Sequence, residues 1–135
     1  METFTVYTDA STGDEAVGIG YTIHGPVDIE GSKYLYGRFT SMEGEFQALI
    51  EGLRIARFHA TEHDVCHVYV DVEPLIEKVD GEYPTFGAWK KRRESVAWLL
   101  SRFHTYEMRW CHRSHNARAH DLAKAALYEA RDRKI

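Results

Sequence analysis

The segment DVCHVYVDV, residues 64–72, constrains the fold more than any other stretch of the chain. It is short, almost continuously apolar and aromatic, and bounded by aspartates. A strand with one wet face alternates apolar and polar residues, whereas an unbroken run belongs to a strand covered on both faces. Such a strand needs a layer above it and a layer below it. The chain must therefore provide a sheet and two sets of helices.

The rest of the sequence provides them. FTVYTDAS (4–11) is rich in β-branched and aromatic residues, and AVGIGYTIHG (16–25) follows it across a turn-like TGDE, so the two form a hairpin. KYLYGRF (33–39) alternates and makes a third antiparallel strand after a turn at DIEGS. Phe46, Leu49, Ile50, Leu53 and Ala56 recur at helical spacing, and Thr40 with Glu43 has the form of a capping box that starts this helix near residue 41. A short helix over 73–80 tolerates Pro74 in its first turn, and a longer one spans 86–103 with Trp89, Val96, Leu100 and Phe103 on one face. YEMRWCHR (106–113) is the last strand, and an alanine-rich helix begins near Ala117, with Asn116 as its N-cap. The order β-β-β-α-β-α-α-β-α describes an α/β three-layer domain with a mixed sheet.

At 135 residues the chain forms one domain, 1–135, with no repeat or linker and enough length for a core without staples. Cys66 and Cys111 lie in strand-like runs without metal-ligand spacing and read as reduced residues of a cytoplasmic protein. The first residues lack the basic and apolar regions of a signal peptide, and no apolar run approaches the roughly 18 residues of a membrane span. The formal net charge of −4 opposes nucleic acid, so any attraction to it must come from local basic patches.

Asp9 and Asp71 close the first and fourth strands, where α/β sheets place their sites. If these strands are parallel neighbours, the two aspartates stand side by side, and Glu45, early in the first helix, joins them. Three converging carboxylates repel one another unless a cation neutralises them, and hard oxygen ligands suit Mg²⁺.

YTDAS, GIGYTI, GEFQALIEGL, VYVDV and HNARAHDLA stand in the order and spacing of type 1 ribonuclease H, and the sequence resembles that family, in its compact prokaryotic form without a hybrid-binding domain, over nearly its whole length. The resemblance implies a five-stranded sheet of order 3-2-1-4-5 with helices on both faces. It implies an endonuclease that hydrolyses the RNA strand of RNA–DNA hybrids with two Mg²⁺ or Mn²⁺ ions about 4 Å apart when substrate is bound. It assigns Asp9, Glu45 and Asp71 to three of the four metal-binding acids.

The fourth acid of the family's Asn-x-x-Ala-Asp-x-Leu-Ala motif falls on His120. Asp121 is the next residue, but helix geometry argues against it as a replacement. At about 100° per residue, Ala119, Leu122, Ala123, Ala126, Leu127 and Ala130 share one face, His120 lies on its border, and Asp121 points nearly opposite. His120 is the expected site residue, as a ligand or a water-positioning group. A neutral imidazole brings no negative charge and favours softer ions, so the second metal site is expected to be weak or to prefer Mn²⁺. The competing reading makes His120 a helix-border residue in a protein whose catalysis has decayed.

Other positions depart from the family. The pair after Asp9 is Ala10 and Ser11 rather than the commoner Gly-Ser, Val72 replaces a frequent serine, and Ser41 and Met42 stand where asparagines would touch the hybrid's minor groove. Trp89, Lys90, Lys91, Arg92 and Arg93 match the region where relatives grip phosphates of the DNA strand; the run also suits a solvated helix face. Asn116 matches the family's loop, and His115 matches a mobile histidine that assists in larger members; a surface loop histidine is the alternative. The expected partner is an RNA–DNA hybrid, bound by a monomer with no obligate protein partner. A non-catalytic nucleic-acid-binding module is the second reading. A proofreading exonuclease ranks last, because Asp9 lacks the Asp-x-Glu pattern of that class.

Overall fold

The computed structural model describes residues 1–80 and 88–133. The elements are β1 (Thr3–Thr12), β2 (Ala16–His24), β3 (Ile29–Tyr36), α1 (Ser41–His59), β4 (Val65–Val70), α2 (Glu73–Asp80), α3 (Ala88–Ser101), β5 (Thr105–Trp110) and α4 (Ala117–Arg133), with a 3-10 turn at Arg113–Asn116. They form one mixed sheet of order β3-β2-β1-β4-β5, in which β1 runs antiparallel to β2 and parallel to β4. Helices cover both faces, as the resemblance implies.

The 64–72 run becomes β4, the inner strand between β1 and β5. Its Cys66, Val68 and Val70 are fully buried with Phe4 and Val6 of β1, in one cluster with Phe46, Leu49 and Leu53 of α1 and Val96 and Leu100 of α3. The opposite face of β4 carries His67 and Tyr69, which are only half-buried, so the strand is sealed on one face rather than on both as its unbroken apolar run predicts, because α4 lies chiefly over β2, β1 and β3. Cys66 and Cys111 are both free, and burial pushes the Cys66 thiol up to about 12. Among the described residues no helix is long and apolar enough to cross a membrane.

Four boundaries differ from the sequence expectation. The third strand is Ile29–Tyr36 rather than 33–39: Ile23 already pairs with Ile29, and the supposed turn at DIEGS is mostly strand. An edge strand exposed over much of its length needs no apolar alternation, which is why its glycine and acids resembled a turn. The long helix ends at Ser101 rather than 103, where the Arg102 and Phe103 N–H groups close back on Leu99 and Leu100. Its expected first residues, 86 and 87, lie outside the described residues. The last strand is Thr105–Trp110 rather than 106–113, since the chain turns at His112 into the 3-10 turn. Finally, Asn116 is not an N-cap. It sits inside the turn, which runs directly into α4, and His112 caps the turn by accepting from the Ser114 N–H.

The second helical layer is α4 alone, laid across β2, β1 and β3. Gly18 and Gly20 of β2 face it, and a Cβ on either would collide with α4 backbone at Ala123 or Ala119. With Ala119, Ala123 and Ala126 buried on the helix side, backbone meets backbone almost without side chains between. Tyr36 Oη fastens the far end by donating to the Ala130 carbonyl at 3.2 Å.

Because the obstacle at Gly20 is main chain, it cannot give way as a side chain would. Gly20→Ala is therefore expected to destabilise the protein by about 2 kcal/mol or more in urea unfolding. Exposed Asp121→Ala should stay within about 0.5 kcal/mol of wild type.

Candidate active site

Parallel register brings the two aspartates together. Tyr7 of β1 pairs with Tyr69 of β4, so Asp9 and Asp71, each two residues further on, emerge side by side on the same sheet face. Glu45 comes from α1, whose phase is fixed by its cap. The Thr40 N–H donates to Glu43 Oε1 at 2.9 Å, and the Glu43 N–H donates to Thr40 Oγ1 at 3.1 Å. Gly44 then lets the helix rest against Thr12 and Val17, where a Cβ would sit 2.9 Å and 3.0 Å from their methyls. Asp9, Glu45 and Asp71 each offer a carboxylate oxygen within 4.8 Å of the others.

Asp9 is 3% and Glu45 4% exposed, so these charges cannot be left to water. Burial, then the charges of Asp9 and Asp71, push the Glu45 carboxyl up to about 9. Asp9 is likewise raised, by burial and then by Asp71, while its hydrogen bond with His120 works in the other direction. Glu45 Oε2 is buried without a partner. An unpaired buried oxygen beside two more carboxylates is the environment a divalent cation would satisfy, so the donor set fits a hard metal ion.

His120 lies against Asp9. Its Nδ1 lies 2.8 Å from Asp9 Oδ2, its side chain is 36% exposed, and Asp121 points to solvent. An ionised Asp9 can only accept, so Nδ1 is the donor in that contact. His120 stands beside the carboxylate cluster rather than in it: among the described residues the group with metal-binding separations is the three acids. The contact that His120 makes is with Asp9.

The residues expected to touch nucleic acid divide into two groups. Ser11 is half-buried and Ser41 exposed close to the acids in sequence, whereas Ala10 and Met42 are half-buried and packed against the core. Trp89 also packs on the core, edge-on to Phe46 at 5.6 Å, with Lys78 and Arg92 over its ring at 5.5 Å and 5.8 Å. Arg92 binds Glu43 at 3.2 Å and is only 14% exposed in its side chain, so it braces α3 against the start of α1. Arg93 is half-buried, while Lys90, 4.0 Å from Glu94, and Lys91 remain exposed. Asn116 is 1% exposed and donates from Nδ2 to the Thr8 carbonyl at 2.9 Å. Through that bond the side chain ties the turn before α4 to β1. His115 is exposed in the same turn.

One feature of this region escaped the sequence reading. Tyr7 and Tyr69 stack with centroids 5.2 Å apart and planes at 16°, directly behind Asp9 and Asp71. Its signal is the repeated Tyr-x-Asp in VYTD and VYVD, which places an aromatic and an acid on one face of each strand.

Comparison with known proteins agrees with this architecture. Residues 7–126 match the family model described as reverse transcriptase-like. RNase H1 from the halophilic archaeon Halobacterium salinarum NRC-1 superposes with a TM-score of 0.82 at 23% identity, over 94% of this chain and 98% of that one. The N-terminal RNase H domain of rv2228c from Mycobacterium tuberculosis, solved as a fusion with maltose binding protein, gives 0.86 at 21% identity over the whole of both chains. LC11-RNase H1, solved in complex with an RNA/DNA hybrid, gives 0.82 at 24% identity over 94% and 98%. A sequence search of curated proteins returns no match. With the matched segment spanning most of its length and the sheet order in agreement, the chain belongs to the reverse transcriptase-like family and has the fold of type 1 ribonuclease H.

Proposed function

We propose that this protein is a divalent-metal-dependent endonuclease acting on the RNA strand of RNA–DNA hybrids. The observation that carries the reading is the trio Asp9, Glu45 and Asp71, two of them buried, with oxygens within 4.8 Å of one another where Asp9 and Asp71 follow the parallel pairing of β1 with β4 and Glu45 comes from α1. These three residues would hold Mg²⁺ or Mn²⁺. Bound ions would supply activation of a water and neutralisation of charge on the scissile phosphate. The chain itself fixes the acids on two strands and a capped helix, so little reorganisation remains for the reaction. LC11-RNase H1, of the same fold, was solved with an RNA/DNA hybrid, which supports hybrid as the substrate class.

His120 holds the Asp9 carboxylate in one orientation through Nδ1, acting as a positioning residue. Because the imidazole adds no negative charge, a second ion is held more weakly than in a four-carboxylate site. Mn²⁺ is then expected to support activity better than Mg²⁺. Discrimination of RNA from DNA falls to the Ser41 hydroxyl and the backbone around it, since the Met42 side chain is turned into the core. Phosphate contacts of the DNA strand fall to exposed Lys90 and Lys91 rather than to Arg92. The position of His120 outside the carboxylate cluster is the observation favouring the second reading, a hybrid-binding protein with weak or no cleavage.

Cleavage of a labelled RNA–DNA hybrid in Mg²⁺ and in Mn²⁺ tests the proposal. Asp9→Asn should reduce cutting to background with either ion. His120→Ala should lower activity about 10–100-fold, the usual effect of losing a group that orients a metal ligand. Folded protein that cuts with neither ion would leave only the binding reading.

The acids also predict a pH dependence of stability. Glu45 is raised in the folded state from 4.5 to about 9, so between those values the native protein holds more protons than the unfolded chain. Stability in EDTA should therefore fall as pH rises through that window. Glu45→Gln should flatten the fall and raise the melting temperature by about 3 °C at pH 8 in calorimetry. Added Mn²⁺ should stabilise wild type more at pH 8 than at pH 6, because it competes with the proton for the same oxygens.

A further inference from the structure

We propose that a small cavity beside the carboxylate site binds a single unpaired nucleotide, with its base on Tyr7 and its 5′-phosphate on Arg118. The cavity measures about 250 Å³ and is lined by Tyr7, Thr22, His24, His115, Asn116 and Arg118. It lies where β1 and β2 meet the turn that leads into α4. Tyr69 stacks on Tyr7 from the β4 side, so the face of Tyr7 toward β2 is the one presented to the cavity. His24 meets Tyr7 edge-on at 6.1 Å and closes the far end.

The lining selects the ligand. A tyrosine face backed by a second ring is a platform for a planar heterocycle, and base–aromatic stacking tolerates every base. Asn116 contributes an unmet need: it is 1% exposed, its Nδ2 is committed to Thr8, and its Oδ1 is buried with no partner. A ring N–H or exocyclic amine would satisfy that acceptor. Arg118 spends Nε and Nη2 on Glu30, which leaves Nη1 for another oxygen. Exposed His115 adds a second donor on the rim. The volume lies just below the roughly 300–1,000 Å³ typical of pockets for larger ligands, so it suits one base rather than a run of them.

Position supplies the source of the ligand. Tyr7 precedes Asp9 by two residues on the same sheet face, so the tyrosine of the cavity lies about 7 Å from Asp9 along β1. Hydrolysis that breaks the P–O3′ bond puts the water's oxygen on phosphorus and the proton on the 3′-oxygen. One fragment then begins with a 5′-phosphate, and its terminal nucleotide is the one this cavity would retain. This origin rests on the nuclease proposal, whereas the binding chemistry does not.

The test is titration of ¹⁵N-labelled full-length protein in EDTA with adenosine 5′-monophosphate, ribose 5-phosphate and adenosine, followed by amide shifts. Adenosine 5′-monophosphate should saturate shifts at Thr22, His24, Asn116 and Ala119. Each half-molecule should bind at least about tenfold more weakly, since stacking and a charge-assisted contact are both lost piecewise. Arg118→Ala should weaken the monophosphate about tenfold and leave adenosine unchanged. Tyr7→Leu, with its fold checked by circular dichroism, should weaken adenosine and leave ribose 5-phosphate unchanged. Equal binding of ribose 5-phosphate and the monophosphate would overturn the base site. Shifts centred away from these residues, or none, would overturn the cavity altogether. Saturation in a protein that cuts no hybrid would uphold the cavity and remove only the nuclease as its source.

Discussion

The contact on which the site depends is the meeting of α4 with β2. Gly18 and Gly20 present bare backbone to Ala119 and Ala123, and α4 settles against the sheet at a distance no larger residue would permit. That closeness fixes the helix both in height and in rotation. The border residue His120 is thereby delivered to Asp9, while Asp121 is left in solvent. A looser helix could turn to offer Asp121 in place of the histidine; this one cannot without driving its alanines out of the core. Which of these two residues meets Asp9 is thus a packing consequence as much as a matter of sequence.

The opposite helical layer is held by charge as well as by apolar contact. The basic run on α3 looks like a surface built for phosphate, yet Arg92 is spent on Glu43 and on the face of Trp89. Glu43 is at the same time half of the capping box that sets the phase of α1 and therefore the direction of Glu45. Backbone and side-chain bonds from Thr40, with Arg92 beside it, keep the Glu43 carboxyl below its usual range. The arginine contributes to the site at one remove, by steadying the cap of the helix that supplies an acid.

The acids themselves work against the fold. Burying Asp9 and Glu45 beside Asp71 costs desolvation and repulsion, and the protein answers by retaining a proton near neutrality. The fold tolerates this local penalty. His120 eases the penalty at Asp9 with a hydrogen bond and no added negative charge.

The sequence alone determined the layer architecture, the element order, the capping box at Thr40 and Glu43, and the three acids. Each is written in local pattern: an apolar inner strand, helical periodicity, and acids at strand ends. The faces of the last helix were legible for the same reason, since 3.6-residue periodicity separates His120 from Asp121 without reference to any partner. Tertiary structure alone decided the rest. Ile29–Tyr36 is a strand because β2 pairs with it across the edge, although its glycine and acids signal a turn. Asn116 could be read as a cap or a ligand contact, and only the fold brings the Thr8 carbonyl to it across 108 positions. Arg92 became a brace and Tyr7 a stacking partner for the same reason. Long-range partners are chosen by packing, and packing leaves no period in the sequence to read.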